Sequence, residues 1–372
     1  MTSIIYVGMD VHTTNYTLCC YSMEDDRFFA EVQVEPDAKN ILKYLARIEK
    51  QQSRDCRIVC GYEAGCLGYS LYHQLHAHGI DCVILAPTTM MTKPGKRIKT
   101  DRRDARLISK CLAFHTYSPV YIPTEVDDAV KEYIRMRDDA NSALARVKQQ
   151  IIAFCIRHGK IHDGKSYWTN KHLEWLSSLD LGNKILSEVL QEYLIRYYQL
   201  REQVDMYDMR INELAQAEPY RQKVEKLGCF RGIAAHTALS FCVEVGDFRR
   251  FATAQQFASY LGLVPGECSS GDKQQYTSIT KAGNSHLRKL LVETAQVFGR
   301  SATKSGKSVA LKERQTKCDS LTVAYADKAN ARLKKKYFKI AMRSKVNIAK
   351  TAVAREMACF IWGMMTDNIS CA

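Results

Sequence analysis

Four carboxylates in the first third of the chain have the types and surroundings that metal-dependent phosphate chemistry requires. Asp10 lies in IIYVGMDVH, inside an apolar run where a lone charge is costly unless it is paired or binds a metal. Glu63 closes a second apolar run, CRIVCGYE. Asp101 and Asp104 stand three apart in KTDRRDAR, so on a helix they share one face. Near a helix N-terminus the dipole favours their ionised forms. Oxygen ligands delivered from separate elements suit magnesium, with manganese as a substitute. Two such ions about 4 Å apart clamp the attacking and leaving oxygens of a phosphodiester. Spacing alone leaves a plainer role open, since DxxD at a helix start also serves as a cap with a salt bridge.

The elements around these residues follow from periodicity. Residues 4–21 read as two strands about a short turn, and RFFAEVQV (27–34) alternates as a third. Residues 37–51 follow with helical spacing, Ile41, Leu42, Leu45 and Ile48 sharing a face. A buried strand at 56–63, a helix around 67–78, a strand at 81–87 and a helix from near Thr100 complete the order β-β-β-α-β-α-β-α. That order predicts a mixed sheet with helices on its faces.

Residues 125–220 read as almost wholly helical, with a loop at 159–170. Leu186, Leu190, Leu194, Tyr197, Val204, Ile211 and Leu214 recur at helical steps, uninterrupted by Pro or Gly. This is the pattern of a bundle helix or of a coiled-coil dimer seam. Paired helices about glycines are expected in 227–251, short strands and loops in 260–284, and helices at 285–300 and 345–365. The fold class is thus α/β plus α, in three parts: 1–120, a helical segment 121–220, and 221–372.

Charge points to a polyanionic partner. The chain has 54 Lys and Arg against 40 Asp and Glu, a net charge of +14. Residues 300–350 hold 15 Lys or Arg and 3 Asp or Glu, including Lys334, Lys335 and Lys336. A second cluster, Lys93, Lys96, Arg97, Lys99, Arg102, Arg103 and Arg106, surrounds the DxxD pair. The 14 cysteines include no CxxC pair and no zinc spacing, so they read as reduced, buried thiols. The N-terminus lacks the pattern of a signal peptide and no run of 18 apolar residues exists, which predicts a cytoplasmic protein without a membrane span.

The segments VGMDVH, GYEAGC and KTDRRDAR, together with the long block VEVGDFRRFATAQQFASYLGLVPGECSSGDKQQYTSITKAGNSHLRKLLVETA (243–295), resemble the DEDD-type transposases of bacterial insertion sequences. The best-studied members of that family are recombinases guided by a bridge RNA. The resemblance covers nearly the whole chain. It implies a RuvC-like, RNase H-like first domain whose tetrad is Asp10, Glu63, Asp101 and Asp104, holding Mg2+. It also implies a nucleophilic serine in the second domain, carried here onto Ser270 with Ser269 as the adjacent rival. The turn LGCFRGI departs from the family's usual pattern, and the region after residue 300 is extended.

The implied function is cutting and rejoining of DNA strands through a serine–DNA intermediate. Its implied partners are double-stranded donor and target DNA, a structured non-coding guide RNA, and further copies of the chain as a dimer or tetramer. Lys281, Arg288 and Lys289 are expected to face a nucleic-acid backbone, with His286 on the same helix. The nucleoid of a bacterial cytoplasm is the implied location. Two alternatives stand beside this reading: a magnesium-dependent structure-specific endonuclease that uses water, and a non-catalytic nucleic-acid-binding protein. A sugar- or acetate-kinase-like phosphotransferase lacks support, because no Gly-rich phosphate loop is present.

Overall fold

The computed structural model describes residues 3–51, 56–65, 67–90, 100–267, 275–300 and 306–369. It divides into two compact units, residues 1–122 and 123–372. Lys93, Lys96, Arg97, Lys99, Ser269 and Ser270 lie outside the described residues. No helix among the described residues is long and apolar enough to cross a membrane.

In the first unit the strands are β1 (Ser3–Val11), β2 (Tyr16–Ser22), β3 (Arg27–Val34), β4 (Cys56–Glu63) and β5 (Asp81–Leu85). The helices are α1 (Ala38–Gln51), α2 (Ser70–Ala77) and α3 (Asp101–Ala113). The sheet order is β3-β2-β1-β4-β5. The first three strands form an antiparallel meander, while β4 and β5 run parallel to β1. Strand alternation sorts β1 onto two faces. Ile5, Val7 and Met9 pack with Ile41, Leu45 and Ile48 of α1 and with Leu71 and Leu75 of α2. Tyr6 joins the opposite core with Ile108, Cys111 and Leu112 of α3. Each sheet face is therefore covered, as the expected β-β-β-α-β-α-β-α order requires.

The second unit opens with three helices, α4 (Glu125–Arg157), α5 (Asn170–Ser177) and α6 (Lys184–Gln216). Helices α4 and α6 have 33 residues each and so run about 50 Å. Thr124 caps α4 by accepting from the Asp127 amide, and Asn183 caps α6 by accepting from Ile185 and Leu186. One apolar stripe of α6 packs within the chain, while Ile185, Val189 and Ile195 stay exposed. Leu190, Leu194, Tyr197 and Val204 pack with Leu144, Val147, Ile151 and Phe154 of α4. These residues of α6 therefore serve as the face of a bundle helix, with α5 and its flanking loops spanning the return from α4 to α6.

The remaining elements are α7 (Arg221–Gly228), α8 (Ala235–Val245), α9 (Ala254–Tyr260), the short hairpin β6 (Pro265–Glu267) and β7 (Tyr276–Ile279), α10 (Ser285–Gly299), α11 (Val309–Gln315), α12 (Ser320–Ala341) and α13 (Val346–Met365). They enclose one large core with the proximal parts of α4 and α6. The basic run resolves partly into α12, which buries Tyr325, Ala326, Ala329, Leu333 and Tyr337 at helical spacing and turns Lys328, Lys335 and Lys339 outward. Burial holds the thiols protonated, pushing Cys20 and Cys242 up to about 12.

A charged cluster ties four helices of this unit. The His286 ring of α10 bonds Glu244 of α8 at 2.5 Å and Asp138 of α4 at 2.8 Å, while His236 Nε2 lies 3.0 Å from Asp138. Arg137 donates to Asp138 and makes a bidentate pair with Asp208 of α6 at 2.7 and 3.0 Å. Asn284 bonds both Glu244 and the Tyr260 hydroxyl, and its own Oδ1 caps α10. His286 therefore turns inward instead of facing a nucleic-acid backbone as expected. Burial favours the neutral ring, but the bonds to Asp138 and Glu244 outweigh it and raise its pKa to about 9. Burial likewise opposes ionisation of Asp138 and Glu244, and the His and Arg or Asn partners overcome it, so both carboxyls titrate below their ordinary values.

The sign of the pH dependence follows. The His286 contribution is complete below its unfolded value of 6.5 and is lost as pH rises through about 9. The Asp138 and Glu244 contributions are complete above ordinary carboxylate values and are lost in acid. The second unit is expected to lose on the order of 3 kcal/mol between pH 6 and 9. Guanidinium midpoints measured across that window should fall for the parent chain and stay flat for His286→Gln.

Candidate metal centre

The close approach that builds the site is set by glycine. A Cβ on Gly8 would lie 2.1 Å from the carbonyl oxygen of Ala105 and 2.4 Å from the amide nitrogen of Ser109, so β1 and α3 meet backbone to backbone. The α3 face at that contact is made of the small residues Ala105 and Ser109, both fully buried. Gly61, paired with Gly8 across the parallel strands, has the same role, since a Cβ there would crowd Leu85 and Leu112. Outside the contact, Arg102 and Arg106, one turn apart, hold α3 to β3. Arg106 Nε donates to Glu31 at 2.7 Å and Arg102 Nε lies 3.3 Å from the same carboxylate.

Seated in this way, α3 brings its first turn to the end of β1. Asp10 lies two residues beyond Gly8 and so points to the same face. Asp10, His12 and Asp101 each place one ligand atom within 4.8 Å of the others. His12 Nε2 is 3.3 Å from Asp10 Oδ2, an ion-pair distance, yet that oxygen is buried and accepts no hydrogen bond among the described residues. The Asp10 side chain is only 14% exposed. Burial raises its carboxyl above the ordinary value; His12 opposes the rise, and Asp104 and Asp101 add to it. Negative charge is therefore concentrated on a desolvated carboxylate, which a divalent cation would relieve. Facing Asp10 across the antiparallel pair is Thr17, which is 2% exposed and whose hydroxyl also has no partner among the described residues.

The four expected carboxylates are placed unequally. Asp10 and Asp101 come together, and Asp104 is close enough to act on Asp10 electrostatically. Glu63 continues the Gly8–Gly61 register onto the Asp10 face of β4 but is exposed and outside the close group. His12 was not singled out from the sequence. Its signal was the i, i+2 spacing from Asp10, which puts both side chains on one face of an extended segment.

The expected nucleic-acid contacts divide too. Arg103 and Lys281 are exposed, whereas Arg102 is paired with Glu31. Arg288 donates to the carbonyl oxygens of Leu261 and Ala282 and so fixes the turn around Gly262. Lys336 pairs with Glu356, and Lys335 is exposed on α12 beside the half-buried Lys334.

Two family profiles match the chain. A profile described as "Transposase", that of the DEDD group, matches residues 7–156, and the profile "Transposase IS116/IS110/IS902 family" matches residues 225–310. The y4qE protein of Sinorhizobium fredii is 35% identical over 307 residues, covering 82% of this chain and 75% of that one. The transposase for insertion sequence element IS1533 of Leptospira borgpetersenii is 32% identical over 340 residues, 90% of this chain and 95% of its own. The transposase for IS1111A of Coxiella burnetii is 25% identical over 268 residues, 68% and 71% of the two chains.

The glycine contact is directly testable. Gly8→Ala is expected to destabilise the first unit by about 3 kcal/mol, the upper end for an inserted methyl that backbone must move to admit. Gly306→Ala, with nothing within 4 Å of the added carbon, should be neutral. Urea denaturation of the two full-length variants separates these outcomes.

Proposed function

Because the chain belongs to the IS116/IS110/IS902 transposase family, we propose that it cuts and rejoins DNA through a magnesium-assisted serine–DNA intermediate, with a bound non-coding RNA choosing the sites. The observation that carries the metal-dependent part is the approach of Asp101 to Asp10, whose buried Oδ2 accepts no hydrogen bond among the described residues. The 3-2-1-4-5 sheet with α3 laid across it agrees with the RNase H-like domain of DEDD transposases.

In this reading Asp10 and Asp101, joined by Asp104 and Glu63, hold magnesium, which when bound neutralises charge on the scissile phosphate. Ser270 Oγ attacks phosphorus, a phosphoserine bond forms, and one DNA strand leaves as a free hydroxyl carrying the proton. Strand exchange reverses the step with a different hydroxyl, so the phosphodiester energy is conserved and no nucleotide cofactor is required. Glu31 takes up Arg102 and Arg106 and leaves Asp101 and Asp104 free of those cations. The outward lysines of α12 and the residue 93–106 cluster suit a phosphate backbone, of DNA or of a guide RNA. A dimer or tetramer is the assembly this reading expects.

Asp10→Asn is expected to lower metal-dependent strand transfer at least about a hundredfold while DNA binding survives. Ser270→Ala should eliminate the denaturant-resistant protein–DNA adduct and strand transfer together. Full cleavage by Ser270→Ala, without an adduct, would instead establish hydrolysis by water. Sequencing of RNA that co-purifies with the parent chain tests guidance: one discrete non-coding RNA is expected, and only ribosomal fragments would refute it.

A further inference from the structure

The side chain at position 12 belongs to no carboxylate tetrad, yet it occupies the same small space. Gly8, Asp10 and His12 alternate onto the α3 face of the β1 segment, and the first of them brings α3 close enough for Asp101 to reach the other two. We propose that His12 Nε2 is a direct ligand of the divalent cation held by Asp10 and Asp101, making this a mixed oxygen–nitrogen site that favours manganese-like transition ions over magnesium in affinity. The inference rests on the metal-dependent reading above.

Three observations support it. The 3.3 Å separation of His12 Nε2 from Asp10 Oδ2 approaches the edge of an octahedron, where ligands about 2.1 Å from one ion sit about 3 Å apart. Among the described residues the Asp10 oxygen accepts no hydrogen bond and has only the ion-pair contact with this ring nitrogen. Opposite them, the buried Thr17 hydroxyl also lacks a partner among the described residues, and it is placed to bond a ligand or a water on the ion. A simple ion pair explains less. It leaves the buried Thr17 hydroxyl, which has no partner among the described residues, unaccounted for. Imidazole is a poor ligand for magnesium and a good one for the later divalent ions, which sets the direction of the preference.

Manganese provides a readout that does not depend on catalysis. In the full-length protein loaded with one equivalent of Mn2+, electron spin-echo spectroscopy is expected to show nitrogen-14 modulation from a directly bound ring. His12→Gln, whose position is open enough to keep the fold, should lose that modulation and bind Mn2+ at least about tenfold more weakly, the lower bound for disturbing even an indirect metal partner. Magnesium affinity, measured by competition, should change much less. Asp10→Asn should abolish the bound signal altogether, locating the ion. Stoichiometric Mn2+ with only oxygen ligands would overturn the role of His12 and leave the carboxylate site intact. Absence of any tight Mn2+ or Mg2+ would overturn both.

Discussion

A strand and a helix in van der Waals contact along their backbones at Gly8 is the constraint on which the first unit depends. A sheet and a helix normally stand about 10 Å apart because side chains fill the gap. Here Gly8, with its paired Gly61, removes side chains from one side, and Ala105 and Ser109 keep them short on the other. The helix is lowered, and its acidic first turn arrives at the height of Asp10. The Arg102 and Arg106 contacts to Glu31 fix its rotation, which decides which residues of α3 face the strand end.

The two units treat buried charge in opposite ways. In the second, the carboxylates Asp138 and Glu244 accept hydrogen bonds from Arg137, His286 and Asn284, so their desolvation is offset within the protein. In the first, Asp10 and Thr17 keep capacity in reserve, and a like-charged neighbour is brought near instead of a lysine.

Much of this was legible in the residues. The apolar runs of β1 and β4, the period of two in β3 and the helical face of α1 followed from patterning, because each element buries a defined stripe. Asp10 and Asp101 stood out since charges in such places need a reason. The rest depended on distance between elements. No local pattern says that α6 closes on α4 instead of a second chain, since both partners present the same apolar stripe. His286 and Arg288 look like surface cations in sequence, yet one sits between two carboxylates and the other holds backbone carbonyls. His12 carried one signal, its i, i+2 spacing from Asp10, which by itself does not separate a site residue from a histidine beyond a strand end.

The alternation along β1 has a consequence for how such a chain can change over generations. Odd-numbered residues 5, 7 and 9 fill one core, while Gly8 and Asp10 serve the other face, so the two duties are interleaved one residue apart. Substitution can adjust either set without touching the other. Deleting or inserting a single codon between Val7 and Asp10 would exchange them, placing the carboxylate among aliphatic side chains and a bulky side chain against α3. Descendants of this sequence can therefore vary in letters through this stretch but not in length.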